Sequence, residues 1–397
     1  MTKVTKTRVI EMNTTPPVTQ LYSILLCSVL FIFTSKLQAN DVAQAIAQHK
    51  NYAGSQTCRT CHSEIYDQYS KTGHPYKIQE VNGPVTFPSG TSPGVPYPPK
   101  DKHWDDIRYM IGGFAWKARF IDKEGYILTG KEHRQYNLAN PVLGLEAGWS
   151  GYSANTAPRK PYTCGSCHTT AWVATGKDGP HQDNLPGMYG VWAEPGVTCE
   201  ACHGPGAQHA KTPKKAPLTT EENCGSCHRR GDIKKIDAKG GLIRHHEQYE
   251  DLLASPHEYL KCGACHSPHL SVKYPTGGFK GESKTCLTCH TQRIAHIPAK
   301  AKFDCITCHM PRMAKSAVSI KHDVKGGTLP EGDVRSHIFR ISLDPLWKMF
   351  SDDGKFVRLD EDGKAFITAA NACLTCHTNK DSQWAIESAK SMHHDTP

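Results

Sequence analysis

The 397-residue chain has little apolar material and no apolar run of membrane-spanning length. Hydrophobic residues make up 38% of it, and 33 glycines and 26 prolines interrupt it. The apolar run at residues 21–33 has 13 residues, whereas a bilayer span needs about 20. We therefore expect no spanning helix, and a loop-rich chain rather than a layered α/β domain.

The chain also has almost no cysteine outside one repeated pattern. Of its 17 cysteines, only Cys27 lies outside that pattern. A zinc protein needs four-ligand sets and has no reason to place histidine after every second cysteine. A disulfide scaffold has no use for that histidine either. The remaining 16 cysteines form eight Cys-x-x-Cys-His motifs, here called sites 1 to 8: Cys58/Cys61/His62, Cys164/Cys167/His168, Cys199/Cys202/His203, Cys224/Cys227/His228, Cys262/Cys265/His266, Cys286/Cys289/His290, Cys305/Cys308/His309 and Cys373/Cys376/His377.

The motif predicts covalent c-type haem. Its two thiols add to the porphyrin vinyl groups, and the adjacent histidine binds iron. We therefore expect eight covalently bound haems. With about 45 residues per motif after residue 39, the chain is too short for eight separate apolar pockets. The expected fold is mostly α-helical and loop-rich, wound around a haem stack.

The N-terminus predicts export. Lys3, Lys6 and Arg8 precede the apolar run, and Ala39 offers a small residue for cleavage, so residues 1–39 read as a secretory signal peptide. An uncleaved membrane anchor is the alternative. Export agrees with the motif, because c-type haem is attached outside the cytoplasmic membrane.

The net charge of +9 does not indicate a nucleic-acid partner. Eight haems would bring sixteen propionates, which outweigh that charge when ionised. Lysine and arginine are better explained as partners of propionates, which arginine can hold through two bonds.

Motif spacing predicts the organisation of the chain. After the signal peptide we expect an N-terminal segment at 40–160 with site 1 and a small β-hairpin insert near 104–136. A haem-dense core at 161–340 holds six motifs, and a C-terminal segment at 341–397 holds site 8. Periodicity predicts one helix at 241–255, and composition predicts an irregular linker at 325–333.

Histidine surplus predicts a second axial ligand for each iron. Eight motif histidines leave 15 others, whereas methionine occurs only eight times. In "CHGPGAQH", Gly204 and Gly206 allow the tight turn that would bring His209 to an iron. The candidate distal ligands lie close to motifs or follow helix ends: His74, His209, His245 or His246, His257, His269, His296, His322 and His337.

Several stretches resemble the multihaem c-type cytochrome family, including its octahaem members. They include "YAGSQTCRTCHSEIYDQYSKTGH", "IGGFAWKARFIDKEGYILTG", "YTCGSCHTTAW", "EPGVTCEACHGPGAQH" and "HHEQYEDLLASPHEYLKCGACHSPH". The resemblance implies electron transfer in the periplasm, across outer membranes or outside the cell. It implies redox partners such as cytochromes, quinol-oxidising proteins or outer-membrane conduit proteins. Some relatives are subunits of extracellular filaments, which makes self-assembly a further expectation.

Octahaem relatives also include enzymes that act on hydroxylamine, nitrite or tetrathionate. The nitrite- and tetrathionate-reducing types replace the motif histidine of the catalytic haem by lysine, and this sequence has no Cys-x-x-Cys-Lys. We therefore favour an electron carrier with low-spin, bis-histidine haems. An octahaem oxidoreductase for a small nitrogen or sulfur compound is the alternative.

Overall fold

The computed structural model describes residues 40–155, 159–220, 223–274, 285–291 and 304–392. Of the unit that ends at Gln48, the structure describes residues 40–48, and residues 40–47 are helical. The second unit begins at His49 and carries all eight motifs. The predicted signal peptide with Cys27, and the candidate ligand His296, lie outside the described residues.

Helices in the second unit are short. Apart from Ser382–Met392, none of those described exceeds seven residues, and none is long and apolar enough to cross a membrane. The α-helices are Ser55–Arg59, Ser63–Tyr69, Gly165–His168, Cys199–His203, Ala207–Lys211, Gln248–Leu253, Cys305–His309, Ala369–Cys373 and Ser382–Met392. Single 3₁₀ turns are Gln48–Asn51, Trp104–Asp106, Pro141–Leu143, Gln182–Asn184, Cys224–Ser226, Cys262–Ala264 and Cys286–Thr288.

A seven-stranded antiparallel sheet occupies the region between sites 1 and 2. Strands β1 to β4 and β7 follow one another in that order, and β5 pairs with both β3 and β6. The strands are β1 Gln79–Glu80, β2 Ile107–Gly112, β3 Lys117–Asp122, β4 Tyr126–Leu128, β5 Gly130–Asn137, β6 Gly148–Tyr152 and β7 Arg159–Pro161.

The other sheets connect the motif-bearing segments. In a four-stranded sheet, β13 pairs in parallel with β14, and β14 with β15 forms a long hairpin. Three two-stranded ladders join β8 with β11, β9 with β10, and β16 with β17. These strands are β8 Thr169–Thr170, β9 Val173–Ala174, β10 Gly190–Val191, β11 Glu194–Pro195, β12 Ala238–Lys239, β13 Leu242–Arg244, β14 Ala314–Val324, β15 Gly327–Val334, β16 Ile341–Ser342 and β17 Ile367–Thr368.

The prediction of a mostly α-helical fold was wrong, because strands hold nearly as many residues as helices. The hairpin expected near 104–136 does form at β3 and β4, with Gly125 in its turn at φ 86°. It is one pair within seven strands, because β2, β5 and β6 supply further partners. Extended pairing is a long-range property that the local hairpin pattern did not reveal.

Two further local predictions differ from the structure. The segment 325–333, expected to be a linker, contains the β14–β15 turn and most of β15. The helix expected at 241–255 begins only at Gln248, because residues 242–244 form β13 and His246 has φ 73°. Pairing of β13 with β14 overrides the helical period of this segment.

Apolar cores lie beside the sheets. One group under the seven-stranded sheet contains Ile78, Tyr109, Ile121 and Tyr162, and a second contains Met110 and Phe120. Two more groups lie in the C-terminal half: Ile236, Ile243, Ile338 and Ile367 represent the larger, and Leu374 and Ile386 the smaller. Burial of these side chains anchors the elements that carry the motifs.

Candidate functional site

Each motif lies on a single helical turn. At site 5 the His266 N–H donates to the Cys262 carbonyl at 2.9 Å, which turns both thiols and the imidazole toward one face. The described residues show all 16 motif cysteines as free thiols, as attachment to haem requires. The same closing bond, at 2.8–3.0 Å, forms at His62, His228, His290 and His377.

Seven of the predicted haem thiols lie at exposed positions, among them Cys289 at site 6 and Cys376 at site 8. The motif pattern gave no indication of this exposure, because it specifies only the local turn. That turn is present at both, since the Cys289 N–H donates to the Cys286 carbonyl at 3.2 Å and the Cys376 N–H to the Cys373 carbonyl at 3.3 Å. Attachment of haem through these two thiols stays a prediction.

Five motif histidines face a second imidazole. Two imidazoles that bind one metal ion from opposite sides have ring centroids roughly 6 Å apart, since each metal–nitrogen bond is about 2 Å. The observed separations match this requirement, which shows that the residues present fit a haem iron between the rings. The pairs are His62 with His209 at 6.4 Å, His228 with His74 at 6.2 Å, His203 with His269 at 6.3 Å, His266 with His337 at 6.2 Å and His290 with His257 at 5.9 Å.

Hydrogen bonds orient the candidate distal ligand His209 and the motif histidine His309 of site 7. Nδ1 of His209 lies 2.9 Å from the Ala216 carbonyl, and Nδ1 of His309 lies 2.9 Å from the Phe339 carbonyl. A carbonyl cannot donate, so each Nδ1 carries the hydrogen and Nε2 keeps its lone pair. A ligating histidine is commonly held in this way.

Burial keeps several of these imidazoles neutral. Burial, followed by the charge of Lys77, lowers the pKa of His74 to about 3. Burial, followed by His266, lowers the pKa of its partner His337 to about 3. Neutral imidazole is the form that binds metals, so no proton has to be removed at pH 7.

The other predicted ligands that the structure describes do not face a motif histidine. His245 and His246 contact each other, with centroids 4.4 Å apart. His322 lies on β14, and its Nε2 is 2.8 Å from a carboxylate oxygen of Glu331. At site 8 the ring beside His377 is the indole of Trp384, at 4.8 Å.

Side-chain contacts link several pairs of motifs. The sulfur atoms of Cys58 and Cys199 are in hydrogen-bond contact, which joins sites 1 and 3. Equivalent contacts join Cys167 with Cys227, at sites 2 and 4, and Cys286 with Cys305, at sites 6 and 7. In three further pairs one group lies close enough to shift the pKa of the other. Cys224 raises the pKa of Cys202, His266 lowers that of His228, and Cys308 raises that of Cys373.

Glu200 is a positioning residue that the sequence did not reveal. It fills a variable position inside motif 3, yet it is 3% exposed. Its carboxylate accepts from the Ala53 and Gly54 N–H groups, both at 2.8 Å, and from the Gly206 N–H at 2.6 Å. One buried carboxylate thus ties the approach to site 1 to the segment that carries His209. Only the folded structure brings those N–H groups together.

Comparisons with known proteins agree with this geometry. Residues 146–204 match the family described as cytochrome c554 and c-prime. The chain is 28% identical over 159 residues to the multiheme cytochrome MtrA of Shewanella baltica, a match that covers 36% of this chain and 41% of that protein. The chain therefore spans less than half of that relative.

Two solved structures share the fold. The octaheme sulfite reductase MccA of Wolinella succinogenes, form II, has a TM-score of 0.56 and 18% identity, over 81% of this chain and 65% of that one. The outer cell wall cytochrome OcwA has a TM-score of 0.51 and 18% identity, over 85% of this chain and 86% of that one. Identities this low show the fold and not a shared activity.

The fold and the repeated thiol–imidazole sites define a protein that holds several haems covalently. In its motifs, in the match at residues 146–204 and in its fold, the chain is similar to the multihaem c-type cytochromes.

Proposed function

We propose that this protein is an exported electron carrier with eight covalent c-type haems, six-coordinate and low-spin wherever two imidazoles face each other. Haem, when bound, supplies one-electron redox chemistry. The chain supplies the thiols of attachment, the axial imidazoles and the spacing between sites.

The paired imidazoles carry this proposal. A centre with nitrogen ligands on both sides offers no open position for a substrate and changes little in geometry between redox states. Low reorganisation favours fast transfer, whereas an exposed, loosely held ligand would have to move with each electron. Burial of His74 and His337 supports a rigid arrangement at sites 4 and 5.

The contacts between motifs support a continuous route. They connect site 1 to 3, 3 to 4 and 4 to 5. Phe339 lies 6.1 Å from His337 at site 5 and 4.5 Å from His257 at site 6. Contacts then lead from site 6 to 7 and from 7 to 8. Site 2 joins this route only through site 4 among the described contacts.

The partners we propose are other redox proteins: cytochromes, quinol-oxidising proteins or outer-membrane conduit proteins. The structural similarity to OcwA, an outer cell wall cytochrome, supports a periplasmic or extracellular location. Assembly into oligomers or filaments is part of the same proposal, and electron microscopy of the purified holoprotein tests it.

The experiment combines intact mass with a ligand variant. The mass of the mature holoprotein should exceed that of the processed polypeptide by eight haem units. His209→Ala should keep the haem count, because site 1 is attached through Cys58 and Cys61, but should add one high-spin haem to the electron paramagnetic resonance spectrum.

His181→Ala is the matched control. Its Nδ1 contacts the Met188 carbonyl at 2.6 Å, so the substitution removes a partly buried hydrogen bond without removing a proposed ligand. The control spectrum should equal that of the wild type. A mass increase of six haem units or fewer, or a His209→Ala spectrum identical to wild type, contradicts the proposal.

A further inference from the structure

Two carboxylates meet at the junction of sites 1 and 3. Glu200 lies inside motif 3, between Cys199 and Cys202, and is 3% exposed. Glu194 lies on β11, shortly before that motif. Both side chains cross to the segment that precedes Cys58 at site 1. The two carboxylates therefore belong to both sites at once.

The hydrogen bonds of Glu200 indicate a carboxylate anion. One of its oxygens accepts from the N–H groups of Ala53 and Gly206, and the other accepts from the Gly54 N–H. All three partners are donors, so a protonated Glu200 would find no acceptor among them for its own hydrogen. A fixed negative charge therefore lies at this junction.

Glu194 adds a second negative charge. Its two oxygens lie 3.2 and 3.1 Å from the Ser55 N–H, and one of them also accepts from the Ser55 hydroxyl. Ser55 begins the helix Ser55–Arg59, which carries Cys58. The carboxylate is thus anchored to the same helix that holds the first thiol of site 1.

The charges of both carboxylates reach the thiols that would hold haem. Burial has the largest effect in raising the pKa of Cys58, and Glu200 and Glu194 raise it further. Burial and then Cys58 raise the pKa of Cys199 to about 12, and Glu194 adds to that rise. The field at sites 1 and 3 is therefore negative.

The cation nearest to this junction along the chain offsets little of that field. Arg59 directly follows Cys58 but is exposed, and its guanidinium lies 5.2 Å from the centre of the Tyr66 ring. Water and salt screen an exposed charge much more than a buried one. The charge of the buried Glu200 therefore outweighs that of Arg59 at the motif.

Sites 2 and 4 have the opposite surroundings. The Lys77 N–H donates to the carbonyl of His74, the imidazole that faces site 4, at 3.3 Å, and the Lys77 carbonyl accepts from the Gly112 N–H at 3.1 Å. Burial, followed by Lys77, lowers the pKa of His168 to about 3 and that of His228 to about 4. Lys77 is therefore a cation that sites 2 and 4 share.

A fixed charge changes how readily a nearby iron accepts an electron. A negative charge destabilises the added electron, and a positive charge stabilises it. At an effective dielectric constant of about 20, one charge about 12 Å away changes the ratio of reduced to oxidised iron by about tenfold. Site 3 adjoins site 4 through Cys202 and Cys224, so an electron that passes from site 3 to site 4 moves toward the positive side.

We propose that Glu194 and Glu200 hold the irons of sites 1 and 3 at a lower reduction potential than those of sites 2 and 4, and that electrons therefore enter this protein at site 1. Site 1 is the end of the described route, because its contact with another motif leads to site 3. The partner that docks there is then an electron donor. This inference rests on the proposed function and adds a direction to it.

The test follows one site at a time in the full-length holoprotein. His209→Ala should make site 1 high-spin, and His74→Ala should make site 4 high-spin. The high-spin signal of each variant then reports one midpoint in a redox titration followed by electron paramagnetic resonance. Because both sites have lost a distal imidazole, their midpoints are directly comparable, and that of site 1 should be the lower.

Charge variants are then added to these two backgrounds. Glu200→Gln should raise the midpoint of site 1 by about 59 mV, which is a tenfold change in ratio for one electron, and should move that of site 4 much less. Lys77→Gln should lower the midpoint of site 4 and move that of site 1 much less. Each variant is the matched control for the other, since the two shifts have opposite signs at different sites.

Two further variants separate charge from structure. Glu200→Asp keeps the charge, so the midpoint of site 1 should stay near that of the background. Glu194→Gln should raise that midpoint while leaving the bonds of Glu200 in place, and it replaces Glu200→Gln if that variant does not hold eight haem units.

Three results would overturn the proposal and leave the proposed function intact. These are a site 1 midpoint above that of site 4 in the two backgrounds, a site 1 midpoint that neither glutamine variant raises, and equal shifts in Glu200→Gln and Glu200→Asp. Failure of the proposed function is recognised separately, by a mass increase of six haem units or fewer or by a His209→Ala variant without a high-spin signal.

Discussion

The seven-stranded sheet and the motif-bearing segments bury different kinds of side chain. Strands β2 and β3 place Ile107, Tyr109, Phe120 and Ile121 at 0–1% exposure. In contrast, the described residues of 193–235 and 255–310, which carry sites 3 to 7, contain no buried hydrophobic side chain. Their buried side chains are polar: Thr198, Glu200, Ser255 and Ser271.

This difference shows where the folding energy of each region resides. The sheet has apolar cores of its own and needs no cofactor to bury them. The motif segments offer thiols, imidazoles and polar anchors, so the apolar surface that they bury has to be that of haem. Sites 2 and 8 lie at the boundary, because Cys164 and Cys373 pack against apolar core groups.

The largest expected effect comes from removing one haem from a motif segment. It tests whether these segments, unlike the sheet, depend on haem for their stability. Cys262→Ala with Cys265→Ala should abolish hydrogen-exchange protection over residues 255–274, because that segment has no apolar core. Protection over residues 107–137 should not change. Hydrogen exchange with mass spectrometry measures both regions in one sample.

Cys164→Ala with Cys167→Ala is the control for that variant. Site 2 adjoins the core of the sheet, so its neighbourhood should lose less protection than residues 255–274 do. Equal losses in the two double variants would contradict the assignment of folding energy to haem in the motif segments.

A smaller effect is expected within the sheet. Phe120→Ala removes a fully buried ring from its core and should lower the local free energy of unfolding by about 3–5 kcal/mol. Hydrogen exchange of β2 and β3 measures the loss, and the haem absorption spectrum should stay that of the wild type. Val142→Ala, at a side chain 65% exposed, should change stability by less than about 0.5 kcal/mol. A similar loss in both variants would contradict the proposed sheet core.

A further effect is a pH dependence of stability in the segment next to site 5. Burial, with Glu250 adding to it, raises the pKa of Asp251 to about 7, although the His337 N–H donates to its carboxylate at 2.9 Å. An unfolded aspartate titrates near 3.9. Between about pH 4 and pH 7 the native state therefore holds a proton that the unfolded state has lost, so stability falls as pH rises through this window.

Asp251→Asn should flatten that fall, as measured by the thermal unfolding midpoint against pH. Asp353→Asn is the control, because the Ser351 hydroxyl and the Lys355 N–H lower the pKa of Asp353 to about 2, below the window. If the unfolding midpoint of Asp251→Asn falls with pH as steeply as that of the wild type, the carboxyl of Asp251 does not cause the fall.

The amino-acid sequence by itself determined the chemistry of attachment. A Cys-x-x-Cys-His motif closes one helical turn on its own, through bonds such as that from the His266 N–H to the Cys262 carbonyl. The β3–β4 hairpin could also be predicted from local sequence, because it requires only a turn at Gly125 between two short strand-forming segments. The candidate distal histidines were named from surplus and position, but the sequence could not assign any of them to a motif, and their role as ligands stays a prediction.

Only the tertiary structure decided which imidazoles face each other, because those pairs join residues far apart in the chain. His62 meets His209 because the buried Glu200 gathers N–H groups from two segments. The same applies to the sheet, where Arg119 and Tyr152 come together through β5, which pairs with both of their strands. Long-range contacts of this kind depend on packing, and local residue preference does not encode them.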